Sequence, residues 1–253
     1  MPVVRKTYKA VLLDMDGTLI DSTKAVEAHW KNFGTAHGID GEEILKSSHG
    51  VRSLDVIARW APEKANMAYV LELEAAIPRD NGDSAIALPG AKDLLHKLRE
   101  NNAPWAIVTS GTSVLASAWV EKMELETPPV FITADKVTNG KPHPEGYMTA
   151  RKMLGAEGLP TLVVEDAPAG AKAGKRAGCD VLGLLTSHKV LHFATQLEFE
   201  DQPDWIVPDL SFVKVLSAGP EGVELEFDVP EVPIDVKELK MPVGMPVSVD
   251  LAE

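Results

Sequence analysis

Six short apolar runs, each ending in a polar or glycine-containing turn, recur along this chain of 253 residues. The runs are YKAVLLD, WAIVTSG, VFITADKV, TLVVEDA, DVLGLLT and DWIVPDL. Segments with helical spacing separate several of them, such as the stripe formed by Leu94, Leu95 and Leu98. Continuous apolar strands that alternate with helices are typical of parallel sheets covered on both faces. We therefore predict an α/β fold with a doubly wound parallel sheet.

One long interval interrupts this alternation. Residues 22–86 contain helical patterns but no convincing strand, which predicts an inserted α-helical cap over the carboxyl edge of the sheet. Open α/β sheets bind their ligands at that edge. The sheet domain would then comprise residues 1–21 and 87–218. Residues 219–253, rich in Pro and Val, are expected to form a short strand and an extended tail, either wrapped on the domain or disordered.

The composition of the chain indicates which binding partners and which cellular compartment to expect. Asp and Glu number 38 against 25 Lys and Arg, and the resulting net charge of −13 argues against binding to nucleic acid or anionic lipid. No apolar run approaches the roughly 18 residues of a membrane span, and the first residues lack the apolar stretch of a secretory signal. Because Cys179 is the single cysteine, no intramolecular disulfide can form, and we expect a cytoplasmic protein.

Carboxylates crowd the end of the first apolar run, in the stretch VLLDMDGTLIDS. Asp14 and Asp16 are close enough to repel each other, so they need either solvent or a cation. Taken alone, the pair is as typical of a carboxylate-rich turn or a helix N-cap. Asp21 and Ser22, a few residues later, are interpreted as capping residues of the helix that follows.

Polar residues follow two later apolar runs in a comparable way. Thr109, Ser110 and Gly111 offer a hydroxyl and backbone N–H groups suited to a phosphoryl oxygen, although a simple Ser/Thr-Gly turn explains them equally well. Lys141, in NGKPHPEGY, is flanked by a proline and is interpreted as a fixed point charge rather than a mobile surface lysine.

A pair of carboxylates ends a further run, TLVVEDA. Glu165 and Asp166 precede a helix, and Asp166 would by itself be explained as its N-cap. Each of these signals is weak alone. Their order along the chain, each at the end of an apolar strand, predicts that they meet at one edge of the sheet.

The motifs DMDGT, TSG, GKPHPE and EDAPAG resemble, in this order, the four motifs of the haloacid dehalogenase superfamily of phosphohydrolases. The resemblance covers both the sheet domain and the cap. The stretches SHGVRSLDVIARWAP, GKPHPEGY and EDAPAGAKAGKRAGC are similar to the glycerol-3-phosphate phosphatase and 2-deoxyglucose-6-phosphate phosphatase branch. These motifs are specific for the superfamily and poorly specific for the substrate.

The resemblance implies a catalytic cycle through an aspartyl-phosphate. Asp14 would attack phosphorus, and Asp16 would protonate the departing alkoxide and later activate water. An Asp at position 16 favours an alcohol over a halide as the leaving group. Mg²⁺ would be bound by Asp14, the backbone carbonyl of Asp16 and Asp166, with Glu165 contributing directly or through water.

The same resemblance assigns the phosphate-binding loop. Ser110 and Lys141 would hold the phosphoryl oxygens, with Thr109 and Gly111 in the same substrate-binding loop. Lys141 would supply the positive charge.

Two residues of the cap are further candidates for substrate binding. His49 and Arg52 lie in a loop that members of the superfamily direct into the active site. Arg52 would fork onto the substrate, or it would form a salt bridge to Asp55 or Glu63. His49 has the simpler interpretation of a capping or core histidine.

Together these features predict a Mg²⁺-dependent phosphatase that acts as a monomer on a small phosphorylated polyol or sugar, without nucleic-acid or membrane partners. A phosphosugar mutase of the same superfamily shares the motifs and remains an alternative. A non-catalytic binding protein on this fold is a remote one, because such a protein has no need of the full set of polar residues.

Overall fold

The computed structural model describes residues 3–46, 48, 50–189, 193 and 195–229. The strands of this part are β1 Val3–Tyr8, β2 Ala10–Leu13, β3 Ile20–Asp21, β4 Ile86–Ala87, β5 Trp105–Val108, β6 Val130–Ile132, β7 Thr161–Glu165, β8 Asp180–Leu184, β9 Trp205–Val207, β10 Val213–Gly219 and β11 Gly222–Asp228. Its α-helices are α1 Thr23–His37, α2 Gly41–Leu45, α3 Ser53–Trp60, α4 Met67–Asn81, α5 Ala91–Glu100, α6 Ser113–Lys122, α7 Glu145–Met153 and α8 Pro168–Arg176.

A six-stranded parallel sheet with the order β6-β5-β2-β7-β8-β9 forms the centre of the molecule. Each of the six apolar runs contributes one strand. Successive residues of a strand point to opposite faces, so Val11 and Leu13 pack into one apolar cluster and Leu12 into another. Both faces of the sheet are therefore buried under helices, which confirms the predicted doubly wound α/β fold.

Four helices, α1 to α4, lie between β3 and β4. They have an apolar core of their own, in which Trp30 and Phe33 of α1 pack with Ile44, Val56 and Val70. At the base of this unit β3 pairs antiparallel with β4, with Ile20 opposite Ala87 and Asp21 opposite Ile86. The chain thus leaves and re-enters the sheet domain at neighbouring points. We retain the name cap for residues 22–86, whose independence as a domain stays a prediction.

A small antiparallel sheet with the order β1-β11-β10 joins the two ends of the described chain. One side of β11 is buried, and Val223, Leu225 and Phe227 pack against the larger apolar cluster of the sheet domain. The expected boundary between residues 218 and 219 falls inside the hairpin of β10 and β11. The strand expected after that boundary is β11, and residues 230–253, expected to form the tail, lie outside the described residues.

None of the helices in the described ranges combines the length and the apolar character that crossing a bilayer requires.

Candidate active site

Asp14 and Asp16 lie in a tight turn directly after β2. The carbonyl of Met15 accepts hydrogen bonds from the N–H groups of the three residues from Thr18 to Ile20, and this turn carries both carboxylates to the rim of the sheet. Gly17 has φ +89°, and a Cβ at this position would overlap the carboxylate of Asp166. A glycine is therefore required for the turn to approach the loop after β7.

Lys141 joins the two carboxylate-bearing loops. Its Nζ donates to Asp14 Oδ1 at 2.5 Å, to Glu165 Oε1 at 2.6 Å and to the carbonyl of Val108 at 3.0 Å. The Lys141 side chain is 7% exposed, so its charge acts in a poorly solvated environment. The lysine is thus held as the fixed positive charge that the sequence indicated.

Glu165 and Asp166, at the end of β7, have different surroundings. Glu165 Oε1 also accepts from the hydroxyl of Tyr147 at 2.7 Å, and a Cβ at Gly170 in α8 would overlap this carboxylate. Asp166 accepts from Thr18 Oγ1 at 3.2 Å and from the hydroxyl of Ser187. Helix α8 begins at Pro168 with no side-chain cap hydrogen bond from its N-cap residue. Asp166 is therefore directed into the cluster rather than acting as a helix cap.

Burial dominates the electrostatics of this cluster. It raises the pKa of Asp14 well above its usual range, and the neighbouring Glu165 and Asp166 add to that effect while Lys141 opposes it. The pKa of Asp166 rises to about 7 for the same reason, with Glu165 contributing and Ser187 opposing. Burial by itself lowers the pKa of Lys141, but Asp14 and Glu165 outweigh it and leave the pKa raised.

The carboxylates of Asp14, Glu165 and Asp166 form a set of donors that fits a divalent cation. One oxygen of each lies within 4.8 Å of the others, all three residues are buried, and the ammonium group of Lys141 pairs with two of them, Asp14 and Glu165. Three buried carboxylates with one lysine leave excess negative charge, which a hard cation with oxygen ligands would balance. Glu165 accepts from Lys141, from Tyr147 and from the N–H of Ala167, so it is the most engaged of the three carboxylates.

Asp16 lies beside this cluster, and its position depends on Ser22. The Ser22 hydroxyl donates to Asp16 Oδ1 at 2.6 Å and makes no cap hydrogen bond to α1. Asp21 instead accepts from the N–H of Thr23 at the start of α1. Ser22 therefore orients Asp16, and Asp21 alone acts near the helix start as expected. Burial raises the pKa of Asp16, and the bond from Ser22 opposes the shift.

The loop after β5 brings Thr109, Ser110 and Gly111 to the same cavity as Asp14. Gly111 donates its N–H to Thr109 Oγ1 at 3.0 Å. The Ser110 hydroxyl donates to the carbonyl of Gly50 in the cap at 2.9 Å, so this side chain presently links cap and sheet domain.

Of the two contacts expected for Arg52, the substrate or a salt bridge, the structure shows the salt bridge to Asp55. Its guanidinium makes a bidentate pair with Asp55 at 2.8 and 2.9 Å and donates to the carbonyls of Val137 and Thr138. The residue is buried and lines a smaller cavity next to Lys141 rather than the one that holds Asp14. Arg52 thus ties the cap to the loop that precedes Lys141. His49 lies outside the described residues.

Sequence reasoning overlooked five polar residues around the site: Thr18, His29, Glu74, Tyr147 and Ser187. Thr18 stands inside DMDGT, and Ser187 follows the apolar run DVLGLLT, so the rule of polar residues at strand ends would have found both. The other three lie in helices, where no local signal marks them. Glu74 and His29 come from the cap and line the cavity above Asp14.

Comparisons with known proteins identify the family of the chain. The haloacid dehalogenase-like hydrolase family matches residues 8–178. Glycerol-1-phosphate phosphohydrolase 2 of Saccharomyces cerevisiae is 41% identical over 229 residues, which cover 86% of this chain and 89% of that protein. 2-Deoxyglucose-6-phosphate phosphatase 2 of the same yeast is 36% identical over 87% of this chain and 95% of its own.

Among solved structures, a hydrolase from Pseudomonas syringae matches with a TM-score of 0.66 and 26% identity, covering 80% of this chain and 94% of that one. Sequence motifs, sheet topology and these similarities lead to the same conclusion. The chain belongs to the haloacid dehalogenase-like hydrolase family.

Proposed function

We propose that this protein is a Mg²⁺-dependent phosphatase that hydrolyses a small polyol or sugar monophosphate through an aspartyl-phosphate. The observation that supports this most directly is the placement of Asp14 at one cavity with Asp16 and Asp166, with its Oδ1 held 2.5 Å from Lys141 Nζ. The named activities of the yeast relatives support the substrate class.

In the first half-reaction, a carboxylate oxygen of Asp14 forms a bond to phosphorus as the bond to the alcohol oxygen breaks. Asp16 gives its proton to the departing alkoxide, and the raised pKa of this buried carboxyl favours the protonated form that the step needs. The hydrogen bond from Ser22 leaves the second oxygen of Asp16 available for that proton transfer.

In the second half-reaction, Asp16 takes a proton from water, whose oxygen attacks the phosphoryl group on Asp14. Phosphate leaves, Asp14 regains its carboxylate and Asp16 is protonated for the next cycle. Lys141 and Ser110 would hold the phosphoryl oxygens as their charge builds up. Glu165 and Tyr147 keep the lysine in place, since Glu165 Oε1 bonds both.

Mg²⁺ would be held by Asp14, Asp166 and the backbone carbonyl of Asp16, with Glu165 reached directly or through water. When bound, it would neutralise the negative charge of the phosphoryl oxygens and of the carboxylates that surround them. The hydroxyls of Thr18 and Ser187 orient Asp166 for this task.

The size of the cavity favours a short alcohol. With the cap tied to the sheet domain, the space next to Asp14 measures about 90 Å³. A space of this size is small for a ligand pocket, which favours a three-carbon polyol phosphate over a hexose phosphate. Glycerol phosphate is therefore the first substrate to test. We further propose that the enzyme works as a monomer in the cytoplasm, in accord with its single, buried cysteine.

The test measures phosphate release from glycerol 3-phosphate by the purified protein with Mg²⁺ and with EDTA. Asp14→Asn should remove turnover, because an amide oxygen is a poor nucleophile. Asp21→Asn is the matched control: it changes a nearby Asp that only accepts from the N–H of Thr23, and Asn caps helices equally well. Turnover that survives Asp14→Asn or EDTA would refute the proposal.

A further inference from the structure

Glu74 is a charged residue of the cap that is buried almost completely. It lies in α4 and is 1% exposed. Its Oε2 accepts a hydrogen bond of 2.7 Å from the N–H of Thr112, the N-cap residue of α6 in the sheet domain. A helix N-terminus stabilises negative charge. Burial raises the pKa of Glu74, and hydrogen bonds from Ser53 and Thr112 oppose that shift.

The cavity that Glu74 shares with Asp14 has a one-sided charge. Among the described residues that line it are four carboxylates, those of Asp14, Asp16, Glu74 and Asp166, and neither a lysine nor an arginine. Lys141 lines the adjoining cavity, and its Nζ contacts Asp14 from that side. A cation bound by Asp14 and Asp166 would neutralise the phosphate group of the substrate. At the cap end, Glu74 has no counter-ion among the residues that the structure describes.

Arg52 of the cap cannot offset the negative charge of this cavity. Both of its terminal nitrogens and its Nε are engaged by Asp55 and by the carbonyls of Val137 and Thr138. A second anionic group on a substrate would therefore meet Glu74 rather than a guanidinium.

His29 adds a neutral partner at the same end. It lies in α1, lines the cavity and is 8% exposed, and its Nε2 is buried without a hydrogen-bond partner among the described residues. Burial lowers the pKa of His29 to about 4, so the imidazole is uncharged near neutral pH. A ligand hydroxyl would satisfy this nitrogen, since a buried polar atom without a partner is costly.

We propose that Glu74 and His29 form the subsite for the leaving alcohol, in which they bind hydroxyl groups and Glu74 excludes any alcohol that carries a second anionic group. The inference rests on the proposed phosphatase function and adds the property that selects its substrate. The hydroxyls of an uncharged polyol donate to the Glu74 carboxylate, and they donate to or accept from His29 Nε2 according to its tautomer. A carboxylate or second phosphate is repelled by Glu74.

The same subsite distinguishes hydrolysis from the mutase reaction. A mutase moves the phosphoryl group from Asp14 to a hydroxyl of a sugar phosphate, and the hydroxyl proton passes to Asp16. The product of that step is a bisphosphate, whose second phosphate would lie next to Glu74. Glu74 therefore disfavours the mutase and leaves water as the acceptor.

The experiment compares two substrates of equal length and of the same configuration at the central carbon, sn-glycerol 3-phosphate and 3-phospho-L-glycerate, which differ by a carboxylate in place of a hydroxymethyl group. We expect wild-type kcat/KM to favour the glycerol ester by at least about 100-fold, and Glu74→Gln to reduce this ratio by about tenfold or more. A ratio measured on one preparation is independent of the fraction of folded enzyme. Glu72→Gln, an exposed neighbour in α4, is the matched control and should keep the wild-type ratio.

A second variant tests the hydroxyl contact. His29→Leu should raise the KM for sn-glycerol 3-phosphate severalfold while kcat changes little, because the lost hydrogen bond binds substrate and transition state alike. An unchanged KM would remove His29 from the subsite.

Four outcomes would overturn the inference or its basis. Equal kcat/KM of the wild-type enzyme for both esters, or an unchanged ratio in Glu74→Gln, contradicts the exclusion by Glu74 and leaves the phosphatase function intact. If neither ester and no sugar monophosphate is hydrolysed, the proposed function itself is contradicted. Conversion of hexose 1-phosphate into an isomeric ester, without free phosphate, contradicts both.

Discussion

The buried imidazole of His29 should make the stability of the protein depend on pH in a measurable way. Burial lowers the pKa of His29 from 6.5 to about 4. Between these two values the unfolded chain binds a proton that the folded chain does not. Stability is therefore fully present above pH 6.5 and is lost as the pH falls toward 4.

The size of the effect follows from the two pKa values. From pH 7.5 to pH 5, the shift from 6.5 to about 4 costs about 2 kcal/mol of unfolding free energy. The buried carboxylates of the cavity have raised pKa values and act in the opposite direction, but they are present in every variant. The contribution of His29 is thus the difference between wild type and His29→Leu in their loss of stability over this range.

Urea unfolding at pH 7.5 and at pH 5 would measure this difference. We expect wild type to lose about 2 kcal/mol more than His29→Leu on acidification. The control is His37→Gln, also in α1, whose Nε2 lies 3.1 Å from the hydroxyl of Tyr69 and outside the active-site cavity. If His29→Leu and wild type lose equal stability, the imidazole is not held neutral and the reasoning fails.

Three further predictions concern Asp16, Asp166 and Arg52. Asp16→Asn should lower kcat by about 10²- to 10⁴-fold, the usual share of general acid–base catalysis, and steady-state phosphate release would show it. Mg²⁺ binding measured by calorimetry should weaken about tenfold or more from pH 8 to pH 6, because Asp166, with a pKa of about 7, must lose its proton to bind metal. Equal Mg²⁺ affinities at the two pH values would contradict this. Arg52→Ala should lower the unfolding free energy by about 1–3 kcal/mol. Arg52→Lys should not restore it, since one ammonium group cannot replace the two hydrogen bonds from the guanidinium to Asp55. Full stability in Arg52→Lys would argue against the bidentate contact.

Much of the fold could be predicted because it depends on local patterns. Each apolar run became a strand of the central sheet, and the placement of Asp14 and Asp166 at strand ends predicted one shared rim. Lys141 was expected at a strand end too, but it lies in the long loop between β6 and α7. β1 was missed because the first run, YKAVLLD, spans the end of one strand and the start of the next. In β1 only Tyr8 is buried, so its six residues carry no continuous apolar signal.

The polar contacts of the site were less predictable because they depend on which distant residues meet. Ser22 precedes a helix and was interpreted as its cap, yet its hydroxyl donates to Asp16. Arg52 had two equal interpretations, and only the packing of the cap against residues 137–138 decides between them. Glu74 contacts Thr112, 38 residues later, and no spacing in the sequence indicates such a pair.

The short ladder of β3 and β4 has a consequence for how this enzyme can be rebuilt. Because Asp21 and Ile86 are paired, their backbones are separated by little more than the width of one strand pair, about 5 Å. A turn of a few residues could join them directly, and the order of the six parallel strands would not change. If the cap selects the alcohol as proposed, that selectivity could be transplanted. A different helical insert grafted between these two residues would face the same Asp14 and form a different wall of the cavity.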